Sequence, residues 1–100
     1  MRVISVATLK SFWADHSDAE QPLKAWYAEA VQASWTQPVE IKAQCRNASI
    51  LKNRRVVFNI KGNPYHLVVA IAYNTQTVFV KFIGTHRAYD TIDAETVELT

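Results

Sequence analysis

The sequence predicts an α+β domain in which amino-terminal helices pack on an antiparallel β-meander sheet, and three observations carry that prediction. Apolar residues recur at helical spacing through the first half. From Arg54 onward the period becomes that of strands, and turn signals cut this second half into consecutive segments. Helices followed by a meander place the helices on one face of one sheet. One hundred residues suit one core, so residues 1–100 are expected to form a single domain. With 49% apolar residues such a core can be filled, and two glycines and three prolines are too few for a turn-dense all-β sandwich.

Arg2-Val3-Ile4-Ser5 reads as a short first strand. Val6, Leu9, Phe12, Trp13 and His16 recur at helical spacing, and polar residues from Asp15 to Asp18 interrupt them. Ser17 followed by Glu20 has the spacing of a capping box, which predicts that a second helix starts there with Pro22 in its first turn. Leu23, Trp26, Tyr27, Ala30 and Val31 form its apolar stripe, ending near Trp35, and the tryptophans read as core. Pro38 opens a short third helix through Val39, Ile41, Lys42 and Cys45. Arg55 to Ile60 is a strand rich in Val and Phe, and Lys61-Gly62-Asn63-Pro64 is a turn in which Gly62 or Asn63 takes positive φ. Tyr65 to Tyr73 is nearly all apolar, as a central strand covered on both faces must be. Asn74-Thr75-Gln76 turns the chain into a strand from Thr77 to Ile83, and the tail from Tyr89 has room for a helical turn or an edge strand.

The net charge of +2 hides a segregated pattern. The first fifty residues are balanced. Residues 51–87 hold Lys52, Arg54, Arg55, Lys61, Lys81 and Arg87 with no acid, and Asp90, Asp93, Glu95 and Glu98 follow. A polyanion-binding face fits this distribution. The single Cys45 cannot form an internal disulfide and reads as an inert thiol in a reducing cytoplasmic setting. No secretory leader is read at the amino end, and no apolar run approaches the roughly 18 residues of a membrane span. No spacing of His or Cys indicates a metal, no glycine-rich loop indicates a nucleotide cofactor, and no nucleophile elbow is present, so neither metal nor cofactor is expected.

Strand alternation places Asn59 and Lys61 on one face. Gly84 at a strand end lets the chain bend, which aims His86 and Arg87 over the sheet near Asn59, Lys61 and Lys81. Imidazole beside fixed cations suits RNA cleavage. Cations stabilise the extra charge on phosphate in the transition state, and a histidine moves a proton near neutral pH.

Arg55 to Ala70, Phe82 to Asp93 and Ala19 to Tyr27 closely resemble HigB-type toxins, most specifically in Gly84-Thr85-His86-x-x-Tyr89-Asp90 downstream of Phe58-Asn59-Ile60-x-Gly62-Asn63. The resemblance implies a RelE-like fold and a toxin of a bacterial type II toxin–antitoxin pair. Such a toxin is a metal-independent endoribonuclease that cuts mRNA on the translating ribosome by 2′-OH attack. A cognate HigA-like antitoxin with a helix-turn-helix domain silences it, and operator DNA is reached only through that antitoxin. Carried over by position, His86 is the proton-transfer residue, Lys61 binds phosphate, and Asn59 orients phosphate or a ribose hydroxyl. Tyr89 stacks a base, and Arg54, Lys81 and Arg87 supply further RNA contacts. Asp90 caps or orients the turn.

One position departs from the family pattern. His66 stands where the family usually has arginine, which would offer a permanent bidentate phosphate contact. Either the chain is a weaker or more pH-dependent nuclease, or His66 shares the proton transfer, or Lys52 or Arg54 supplies the lost charge. Two further functions stay open: a non-catalytic RNA- or ribosome-binding module, and a co-repressor acting only with its antitoxin.

Overall fold

A computed structural model describes residues 1–99. In chain order the elements are β1 (Arg2–Ile4), α1 (Val6–Asp15), a 3₁₀ turn (Ser17–Ala19), α2 (Glu20–Gln32), α3 (Pro38–Gln44), β2 (Ser49–Ile50), β3 (Arg55–Ile60) and β4 (Tyr65–Ala72). A second 3₁₀ turn (Tyr73–Thr75), β5 (Thr77–Thr85) and α4 (His86–Tyr89) complete them. The sheet order is β1-β5-β4-β3-β2. The meander β3-β4-β5 is antiparallel as expected, while β1 joins β5 in parallel and makes the sheet mixed.

Two local expectations change. Ser17 does not cap α2; it enters a 3₁₀ turn, and α2 begins at Glu20 with Pro22 still in its first turn. The reciprocal capping box forms instead at α3, where Gln37 and Glu40 satisfy each other's backbone N–H groups ahead of Pro38. The two-residue β2 gave no periodicity to read, and a turn with positive φ at Asn53 and Arg54 ties it to β3.

Alternation sends Val56, Phe58 and Ile60 of β3, Tyr65, Leu67, Val69 and Ile71 of β4, and Val78 and Val80 of β5 to the helical face. There they meet Leu9, Leu23, Trp26, Ala30 and Ile41 of the helices, with Trp26 edge-on to Phe58 at 5.5 Å. Each large side chain buried in this layer contributes about 1.5–3 kcal/mol of transfer free energy. The core thus fixes which residues are left for the opposite, outer face.

β5 carries a bulge. Val68 pairs with Phe82 and Val69 with Val80, so Lys81 is the extra residue. The bulge keeps Val80 and Ile83 both toward the core and turns Lys81, Phe82 and Gly84 outward. Val57 and Val68 are buried on that outer face. α4 overlies its upper end, and the acidic tail is bonded across its lower end.

Candidate active site

The upper end of the outer face is built on one row of the sheet, in which Asn59 of β3 lies opposite His66 of β4 and His66 lies opposite Gly84 of β5. Gly84 leaves the space that the row needs. A Cβ there would lie 2.5 Å from the tip of the Phe82 ring and 3.3 Å from Ala88. The chain then turns: Thr85 Oγ1 accepts from Ala88 N–H at 3.1 Å as the cap of α4, and His86 N–H donates to the Pro64 carbonyl at 3.0 Å. α4 is thereby folded back over the sheet. Its Tyr89 ring lies 4.6 Å from the His66 ring.

Four polar side chains run in a line across this cap. His66 Nδ1 is 2.9 Å from Asn59 Oδ1, His66 Nε2 is 2.7 Å from His86 Nδ1, and His86 Nε2 is 3.5 Å from an Asp90 carboxylate oxygen. His66 is 4% exposed, whereas the His86 side chain is 56% exposed. Burial first, and the neighbouring His86 second, hold the His66 imidazole below its usual pKa; the Asp90 charge offsets part of that. His66 therefore favours its neutral form. With Nδ1–H donating to Asn59, its Nε2 lone pair is free to accept from His86 Nδ1–H. The two ring nitrogens of His86 thus face His66 on one side and Asp90 on the other.

The structure thus brings Asn59, His66, His86 and Tyr89 together, but Lys61, expected near His86, is not among them. His66 is covered. Lys61 leaves the Asn59 face because its φ of 56° breaks the strand alternation. Its ammonium donates to Asp18 at 2.8 Å on the helical side, where the Tyr65 hydroxyl donates to the same carboxylate. These two bonds, Lys61 first, hold Asp18 below the usual carboxylate range. Arg87 is exposed on α4 beside His86. Arg54 and Lys81 border a recess of about 210 Å³ at the lower end of the outer face. Cys45 is half-buried, and burial pushes its thiol up, which suits an inert group.

Sequence reasoning missed two partners. Asp90, expected to orient the turn, reaches His86 because i and i+4 meet on one helical turn. Arg55, counted among the cations of the basic stretch but not as a site residue, has a side chain with 7% exposure bonded to the tail. The signal available was a charged residue opening an otherwise apolar strand.

Helices thus lie on one face of a meander, and a buried histidine lies beneath a short helical cap on the other. Residues 19–92 match the HigB toxin family, described as the RelE-like toxic component of a toxin–antitoxin system. The chain belongs to that family, and membership implies an antitoxin partner. No curated protein matches the chain. Asn59, His66, His86 and Asp90 lie within the matched residues, whereas the tail after Ile92 lies beyond them. No helix among the described residues is long and apolar enough to cross a membrane.

Proposed function

We propose that the chain is an endoribonuclease that cuts mRNA on the translating ribosome, with His86 as the proton donor. The observation that carries this reading is the His66–His86 contact at 2.7 Å, backed by Asn59 and Asp90. A buried neutral imidazole behind an exposed one presents a proton at a single accessible atom, His86 Nε2. In the reaction a ribose 2′-oxygen bonds to the adjacent phosphorus as the bond to the 5′-oxygen breaks. The 2′ proton passes to solvent and the His86 proton passes to the 5′-oxygen, leaving a 2′,3′-cyclic phosphate and a 5′-hydroxyl. Lys81, Arg54 and Arg87 draw the RNA to the outer face. Tyr89 shields His66 on one side and offers a base its other side. A helix-turn-helix, HigA-like antitoxin silences the toxin and carries it to operator DNA.

A binding-only module is the second reading, and one observation favours it. His66, at the position where an arginine would meet phosphate directly, is shut beneath Tyr89. The test is to express the chain without an antitoxin and map cellular mRNA 5′ ends, beside His86→Ala. New ends inside translated regions that vanish in the variant are expected. Absence of new ends with the folded natural protein would favour the binding-only module.

A further inference from the structure

We propose that Arg55 and Lys81 form a phosphate subsite for RNA, which Glu98 of the chain's own tail fills in the free protein. The proposal rests on the ribonuclease reading for the identity of its ligand. Both oxygens of the Glu98 carboxylate are taken by cations from strands on either side of β4. Arg55 Nη2 donates to one at 2.6 Å and Lys81 Nζ to the other at 2.6 Å, while Arg55 Nη1 donates to the Val97 carbonyl at 2.5 Å. Two cations holding two oxygens of one anion are also the arrangement that binds a phosphodiester.

Burial shows which partner is exchangeable. The Arg55 side chain is 7% exposed and Glu98 is 56% exposed. A buried guanidinium needs an anion beside it at all times, whereas an exposed carboxylate can leave for water at little cost. The recess beside the pair, bordered by Arg54, Arg55, Ala70, Phe79 and Lys81, gives a phosphate and its ribose about 210 Å³ of room. The remaining ties of the tail to the β2–β3 turn are exposed: Glu95 accepts from Lys52 N–H at 3.3 Å, and its carbonyl from the Asn53 amide at 3.1 Å.

Position links the subsite to the histidines. Arg55 pairs with Ala70, which faces the same way as His66 four residues along β4, about 13 Å away at strand rise. An RNA strand laid down the outer face from His86 therefore reaches it. Glu98 lies beyond the family-matched residues, whereas Arg55 and Lys81 lie within them. RNA must displace Glu98, and the tail is an internal competitor.

The experiment uses His86→Ala protein, so that RNA is bound without being cut, and measures the affinity for a short single-stranded RNA across salt concentrations. Glu98→Gln should tighten binding about three- to tenfold and steepen the slope of log K against log salt by about 0.7, the value for one more phosphate on a single strand. Adding Lys81→Ala should reverse both. Independently of the Glu98 variant, saturating RNA should speed hydrogen exchange at the Thr96 and Val97 amides, both bonded to the Asp93 carbonyl, as the tail is released. Tail amides unmoved by bound RNA, or folded Glu98→Gln binding with unchanged affinity and slope, overturns the subsite alone. No RNA binding by any variant overturns the ribonuclease reading and the subsite together.

Discussion

His66 Nε2 lies 2.7 Å from His86 Nδ1, and the two rings are delivered by different elements, one by the middle of the meander and one by the short helix that follows it. A separation this short admits one hydrogen between the two nitrogens. Protonating both rings would set N–H against N–H in a covered site. Burial first and this contact second hold the His66 imidazole below its usual pKa, and a substitution at either ring is expected to be felt by the other.

The first prediction concerns pH. Since His66 titrates below its ordinary value of about 6.5, it is neutral at neutral pH and gains a proton only on acidification. Cleavage by the natural protein should fall on the acid side of that value as the acceptor for His86 is lost. His66→Gln and His66→Arg should lack that limb. Superimposable pH–rate profiles for the three proteins would remove His66 from the mechanism.

Stability should follow the same residue. Folding lowers the His66 pKa, so the unfolded chain binds the proton more readily and acid favours unfolding. The contribution is fully present above about pH 6.5 and is lost as pH falls through the lower folded value. Urea midpoints taken between about pH 7.5 and 5 should fall more for the natural protein than for His66→Gln. An equal fall in both would mean that the loss has another source.

Gly84→Ala is expected to destabilise by about 1–3 kcal/mol through overpacking, because the new methyl lands 2.5 Å from the Phe82 ring tip. Tyr89 lies 6.4 Å from that ring, so a ring displaced toward it should lower cleavage as well. Phe82→Leu removes the clash, and a double-mutant cycle should show that it recovers part of the loss. Strict additivity of the two changes would argue against this contact.

Lys61 separates the structural placement from the expectation of a catalytic cation. With its ammonium bound to Asp18, Lys61→Ala should reduce cleavage by less than about tenfold, while His86→Ala should reduce it by about 10²- to 10⁴-fold. Single-turnover rates decide. Equal losses would mean that Lys61 leaves Asp18 when RNA binds.

Much of the fold was legible because periodicity reports burial. The alternation of Val56, Phe58 and Ile60, the apolar run of β4 and the stripe of α2 each announced the face that the core would claim. The nearness of His86 to Asn59 was legible because strand alternation and the bend at Gly84 are local properties of the chain, whereas Tyr89 was pointed to only by the family resemblance. Lys61 misled for a local reason as well: one residue of positive φ ended the alternation a step earlier than the sequence predicts. The capping box was assigned to Ser17 and Glu20 when Gln37 and Glu40 form it, since spacing alone does not say which side chain is free to turn back.

By itself, then, the sequence determined the class of fold, the segregation of charge along the chain and the histidine at the end of the meander. These follow from hydrophobic period, charge distribution and turn chemistry, all of which act over a few residues. The tertiary structure decided which groups touch. That His66 is covered and shares a hydrogen with His86, that a bulge at Lys81 reframes β5, and that Glu98 closes on Arg55 from 43 positions away all depend on register and on how the chain ends return to the sheet. Such contacts are fixed by packing among residues distant in sequence, where no local pattern carries a record of the partner.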